Sequence, residues 1–436
     1  MTNNGVVQPD LRWKPVAYEL KQVYAPVWLE KEFSTNSWAT VFNRSRLVLK
    51  NRSFTQRTSD FEAKTCLRKN GIIYDERKFD LPDIGPGEQC CVDFDVPHEV
   101  ESGFIYHLDV ALMRKKPLWY EDRDHVDGMD YEVYHAQFEQ EAALPPADIP
   151  VLIDKLIVTD DREISVKATY FEVMFDKTTG RMKNCKANGT VIIEEGGEPR
   201  FDRPRTGLDC QPGWGWHSET SVFDETVTTV NSYSLTQSEI AAVISFELSI
   251  ETKRKEYPLI GRITYTVTGA GVKVGYFCRI PGAYELVSRV GLRFILSPGF
   301  VNLTYLGYGP NECYSDRMES VYYALHSSTA EEQHFPFIPP SECGGHEKTE
   351  MVSLTNGNKT VKFIGDAPFH FDVHHNTTED YRRAKYEHEL IRRKEIIFHI
   401  DAVHAPIGSK MSWSTGLDRD KTPGAGSYYL GFEICV

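Results

Sequence analysis

The sequence predicts an all-β protein made of two antiparallel β-sandwiches in tandem, and three observations predict it. Val, Thr, Tyr and Phe are plentiful, with aromatic residues at 12% of the 436, and such side chains suit a pleated, half-buried surface. Short runs of period two recur between turn clusters along nearly the whole chain. Only Thr378 to Ile391 carries a helical pattern, with Thr377 or Thr378 as cap and Glu379 and Asp380 in the first turn.

The first sandwich is expected over residues 1–145. Ser45 to Lys50 alternates, and Cys91 to Val96 alternates again after the turn-like Pro82-Asp-Ile-Gly-Pro-Gly87; Ile105 to Leu112 follows the same period. About seven such strands in roughly 130 residues is the profile of an immunoglobulin-like sandwich. Paired prolines in the run from Glu141 to Pro150 force extended backbone and cannot donate to a ladder, so this run reads as a linker. The second sandwich is expected over residues 150–436. There Ile164 to Tyr170 alternates, and Arg262 to Thr268, Gly269-Ala-Gly271 and Val272 to Tyr276 read as a hairpin whose glycines supply positive φ. A (β/α)8 barrel would need about 250 residues of alternating strands and helices, and this chain has neither the helices nor the room.

A net charge of −14, spread without a dominant block, argues against nucleic-acid or anionic-membrane partners, which need clustered Lys and Arg. No run of about 18 apolar residues is present to span a bilayer, and Met1 to Asp10 lacks the basic and apolar parts of a signal peptide. Nine scattered cysteines without a CxxC pair suggest reduced thiols and a cytoplasmic setting. Six N-x-S/T sequons, at Asn43, Asn51, Asn188, Asn302, Asn358 and Asn376, favour a secreted origin with the signal on an upstream segment. The sequence leaves the compartment open.

Five segments carry a more specific signal. Phe171-Glu-Val-Met-Phe-Asp-Lys-Thr-Thr-Gly180, Phe201-Asp-Arg-Pro-Arg-Thr-Gly-Leu-Asp209, Tyr305-Leu-Gly-Tyr-Gly-Pro-Asn-Glu-Cys-Tyr-Ser-Asp-Arg317, Phe337-Ile-Pro-Pro-Ser-Glu-Cys-Gly344 and Ile407-Gly-Ser-Lys-Met-Ser-Trp413 resemble, in order, motifs of the last domain of the glycoside hydrolase family 2 β-galactosidases. Tyr24-Ala-Pro-Val27 and the strand around Ala136-Gln-Phe138 resemble the preceding family domain, and Gly5 to Asp10 resembles the stretch that leaves the family's barrel. The resemblance implies a large galactose-mutarotase-like second sandwich. It also implies that the chain is the C-terminal half or small subunit of a β-galactosidase, without the barrel that bears the catalytic carboxylates. Departures stand at Lys410 and Met411, where paired aspartates are usual, at Pro204, Arg205, Gly207 and Leu208, and at Cys343 in place of Asn.

Glycoside hydrolysis with retention needs two carboxyl groups about 5–5.5 Å apart, and the resemblance puts both on the barrel. Glu312 and Glu342 are therefore expected to fix loops, Glu312 by pairing with Arg317 or accepting backbone N–H bonds. By the same resemblance Trp413 reaches back to line the sugar pocket, where a flat indole suits a sugar's C–H face. Trp214 or Trp216, in Pro212-Gly-Trp-Gly-Trp216, could form a second platform, with Arg203 and Asp209 binding substrate or organising their loop. His374-His375 and His388 lack the spacing of a zinc site, so no metal is expected on this chain; Mg and Na belong to the partner barrel by resemblance. The expected partners are that barrel chain and a galactoside, in a hetero- or homo-oligomer. The competing reading is a non-catalytic carbohydrate-binding or scaffold sandwich.

Overall fold

The computed structural model describes residues 5–31, 45–94, 96, 101, 103–116, 131–140, 154–210, 216–408, 416, 418 and 420–436. The chain is all-β, divided into two compact units: residues 1–148 with 319–325, and residues 149–318 with 326–436. The expected linker at 141–150 lies outside the described residues.

The first unit sets a three-stranded sheet (Val27–Lys31, Ser45–Asn51, Gln89–Phe94) and a four-stranded one (Ile72–Asp80, Phe61–Lys69, Tyr106–Arg114, Glu132–Gln140) around one core, every pairing antiparallel. Period two places Leu47 and Leu49, Val92 and Phe94, and Leu108, Val110 and Leu112 in that core. The sequence pattern gave no sign of the helix Pro15–Val23. Its buried residues are Pro15, Ala17, Glu19 and Gln22, while Val16 and Val23 are exposed, so burial does not follow its apolar residues. Glu19 accepts from the amides of Glu319 (2.9 Å) and Ser320 (3.1 Å), within the same unit.

The second unit is one long antiparallel sheet folded around a large apolar core. In Ala241–Glu251 the inward positions are Ala242, Ile244, Phe246, Leu248 and Ile250, an alternation typical of a strand with one wet face. Leu259–Thr268 and Gly271–Ile280 form the expected hairpin. Gly271 has φ of +151°, and a Cβ there would lie 2.1 Å from the Ile434 carbonyl oxygen, so only glycine fits. Thr360–His374 switches partners along its length: residues 362–365 pair with Gly426–Cys435, and residues 370–374 pair with Ile396–His404. Arg289–Leu296 lies on the other side of Ile396–His404, followed by Thr190–Arg200.

The predicted helix at Thr378–Ile391 is shorter in the structure, running over Thr378–Arg383. Its start is as expected: Thr377 caps Asp380, and Asp380 returns a bond to the Thr377 amide. The helix ends early because Arg393 folds back onto Asp380 (2.6 and 2.9 Å) and Asn376 holds the Ile391 carbonyl (2.9 Å), a closed loop that a continuous helix would pull apart.

Candidate functional site

Two neighbouring strand segments, 370–374 and 396–401, bury both of their faces. Phe371, Val373, Phe398 and Ile400 point into the apolar core. The alternate residues, His370, Asp372 and His374 on one strand and His399 and Asp401 on the other, are equally buried. Register sets these polar residues opposite one another, His370 against Asp401 and Asp372 against His399. Each pair is bonded, through Nδ1 at 3.0 Å for His370 and 2.7 Å for His399.

The next strand adds the cation. Arg289 is 0% exposed and donates to Asp372 at 2.8 Å, with Asp401 at 3.8 Å and Glu342 at 3.9 Å. Gly291, two residues on, lies against Asp401, and a Cβ there would fall 2.0 Å from its Oδ1. Any side chain at that point would push the carboxylate out of the layer.

Burial and pairing divide these groups by charge. Burial alone would raise Asp372, but His399 and Arg289 hold its carboxyl well below the usual range. Glu342 goes the other way: burial pushes it up to about 8 against the pull of Arg289. Burial would lower His370, but its bond to Asp401 and the charges of Glu347 and Asp401 together raise it, whereas burial and the cations around it push His404 well down. Burial lowers Arg289 less than its three carboxylates raise it, so the guanidinium stays charged. Every member of this layer is sealed from water, so the arrangement holds the chain segments above it in place.

Four of the motif segments sit on this layer. Arg203 and Asp209 form a buried ion pair at 3.0 Å, each side chain 1% exposed. Asp209 also accepts from the amide and hydroxyl of Thr206 (3.1 and 3.0 Å). The other arm of Arg203 donates to the carbonyls of Ala405 (2.9 Å) and Pro406 (3.0 Å), about 200 residues further on. Asp316 accepts from the amides of Ile407 (3.2 Å) and Gly408 (2.8 Å). Glu312 takes both of its expected roles, pairing with Arg317 and accepting the Gly344 amide at 2.8 Å. Tyr314 donates to Glu342 at 3.2 Å and accepts the Gly345 amide at 3.2 Å.

Of the expected site residues, the structure thus joins Arg203 to Asp209 and ties their shared segment to the backbone just before the Trp413 run. Trp413, Trp214, Lys410 and Met411 lie outside the described residues. Trp216 is described and buried, packed with Leu286 and Ala405, which makes it a core side chain. The sequence reading passed over Arg289, His370, Asp372, His399 and Asp401. The signal was there in His370-Phe-Asp-Val-His374 and His399-Ile-Asp401: polar residues at period two, alternating with Phe, Val and Ile, on strands with no wet face.

Comparison with known proteins bears on the same region. The family model described as beta galactosidase small chain matches residues 167–434. The β-galactosidase of Streptococcus thermophilus is 23% identical over 99% of this chain and 40% of its own length; that of Priestia megaterium is 24% identical over 81% and 33%. The chain thus spans about 40% or less of these curated relatives. Among solved structures, a galactose mutarotase-like protein from Lactobacillus casei is 10% identical, covering 64% of this chain and 99% of its own, with a TM-score of 0.33.

Proposed function

We propose, since the chain belongs to the β-galactosidase small-chain family, that it completes the galactoside-binding site of a separate catalytic barrel for hydrolysis of terminal β-D-galactosyl residues. The observation that carries this reading is the double anchor at residues 405–408, where Arg203 and Asp316 fix the backbone entering the Trp413 segment. A rigidly rooted segment can present an indole to a sugar at small entropic cost. In this reading Trp413 and Trp214 contact the sugar, and Arg203 and Asp209 position their segments. The partner chain supplies both carboxylates, together with any Mg or Na.

The test is a complex reconstituted from this chain and a barrel-bearing β-galactosidase chain. Trp413→Ala is expected to lower kcat/KM by about 1–3 kcal/mol in transition-state terms with an unchanged melting curve, and Trp413→Phe to recover part of the loss. A destabilised fold with unchanged kinetics rejects the sugar contact. Failure of the chains to associate favours a free-standing carbohydrate-binding or scaffold sandwich.

A further inference from the structure

Beside the polar layer, three side chains from distant parts of the second unit converge. They are His334 on the loop after Tyr322–Thr329, Cys343 in the Pro-Ser-Glu-Cys-Gly motif, and His374 at the end of Thr360–His374. One ligand atom from each lies within 4.8 Å of the other two. A tetrahedral zinc, with bonds of about 2.3 Å to sulfur and about 2.0–2.1 Å to nitrogen, would hold such atoms about 3.3–3.6 Å apart. His334 Nδ1 is already 3.9 Å from Cys343 Sγ, so that pair closes with a few tenths of an ångström, and the other two separations are at most 4.8 Å.

The second shell is what separates this group from three polar neighbours in a core. His334 Nε2 lies 2.8 Å from a Glu387 carboxylate oxygen, and His374 Nε2 lies 2.9 Å from the Cys343 carbonyl oxygen. Both acceptors require the proton on Nε2 and leave the Nδ1 lone pair free to ligate. That is how protein metal sites orient their histidines, with the non-ligating N–H donated to a carboxylate or carbonyl. In His334 the nitrogen so left is the one 3.9 Å from Cys343 Sγ; in His374 it is the one that faces the Tyr381 hydroxyl. The Tyr381 hydroxyl stands 2.7 Å from His334 Nδ1 and 3.5 Å from His374 Nδ1, adding an oxygen on the same spot.

The geometry points to a zinc site made by His334 Nδ1, Cys343 Sγ and His374 Nδ1, with the Tyr381 hydroxyl beside the fourth position. This departs from the expectation that the chain carries no metal, which weighed His374 with His375 and His388. One thiolate and two imidazoles suit zinc, and copper is the other ion that takes this donor set. Binding converts the Cys343 thiol to thiolate and releases one proton to solvent, and the Tyr381 hydroxyl gives up its bond to His334 Nδ1. Because a thiolate and not a thiol ligates, affinity rises with pH as the thiol proton leaves. The ion would tie the 334–343 loop and the strand end at His374 together, holding the segment of Glu342 and Gly344 over Arg289. Its role is structural.

The test uses the full chain stripped with a chelator and titrated with Co(II), then Zn(II). One equivalent of cobalt is expected to give a thiolate-to-metal band in the near ultraviolet and visible bands of tetrahedral cobalt, both abolished by one equivalent of zinc. The band should survive Cys210→Ser, an exposed thiol, and vanish in Cys343→Ser. Glu387→Gln, at a half-exposed surface position, should keep the fold and weaken zinc about 10- to 100-fold. A folded wild-type chain that binds neither ion one to one overturns the proposal. So does a thiolate band that persists in Cys343→Ser, or a Glu387→Gln chain that binds zinc as tightly as wild type.

Discussion

The two faces of the strand pair 370–374 and 396–401 are equally buried but opposite in chemistry. On one side Phe363 packs on Phe398 with ring centroids 4.4 Å apart and edge-on to Phe294 at 5.3 Å. On the other, a single guanidinium serves three carboxyl groups. The apolar face is non-directional, and a near-isosteric change there loses little because neighbouring side chains can shift. The polar face depends on each partner, because a charge left behind in a dry interior has nowhere to go. The same backbone therefore has a tolerant side and an intolerant one, and the intolerant side carries the motif loops.

The largest effect should come from Arg289→Met, which keeps much of the volume and removes the cation. We expect a loss of about 3–5 kcal/mol in the denaturant unfolding of the second unit. A loss below about 1 kcal/mol would mean that the layer rearranges its protons at little cost, and the contrast between the faces would disappear.

The first unit offers the same contrast in miniature and sharpens it through pH. Asp109 is paired with Arg68 at 2.5 Å and lies between His107 and His135. Burial pushes His107 down to about 4. Burial would also lower His135, but Asp109 at 3.9 Å and Glu132 at 3.7 Å outweigh it and raise that ring to about 9. The depressed His107 withholds a proton that the unfolded chain binds, so its contribution is lost as pH falls from about 6.5 toward 4. The raised His135 contributes stability fully below pH 6.5, and this is lost as pH rises toward about 9. Stability of this unit should therefore peak near pH 6.5, with limbs of at most about 1.4 kcal/mol per pH unit. His135→Gln should flatten the alkaline limb and His107→Gln the acid one; a limb unchanged by its own substitution would remove that histidine from the account.

The smallest effect belongs to the apolar face. Phe398→Leu should cost no more than about 1.5 kcal/mol, with unchanged motif-loop geometry by hydrogen exchange at Gly344 and Gly345. A cost equal to that of Arg289→Met would show that packing, not charge, decides both faces.

The strands of this fold were largely legible because period two survives wherever one face is wet, as in Ala241–Glu251. The pattern fails where neither face is wet. His370 to His374 reads as a mixed run until the partner strand shows that its polar members meet His399 and Asp401. The helix at Pro15 escaped for a related reason, since Glu19 and Gln22 are among its buried side chains. At the candidate site the loop-fixing role of Glu312 could be read from its motif, because Arg317 stands five residues away. Arg289 could not be read, since its partners Asp372 and Asp401 come from strands far along the chain. The gathering of His334, Cys343 and His374 is of the same kind, a meeting made by topology that no local spacing announces.

The strand Gly426–Cys435 lies in the interior of the great sheet, between Gly271–Ile280 and Thr360–His374. During synthesis those two strands emerge long before the one that joins them. Until it arrives, each offers a bare row of amides and carbonyls, the kind of edge that recruits other chains. The nascent chain is therefore most liable to aggregate between the emergence of Thr360–His374 and that of Gly426–Cys435, and shielding by a chaperone would matter most over that interval. Loss of this strand would leave the sheet open at its middle.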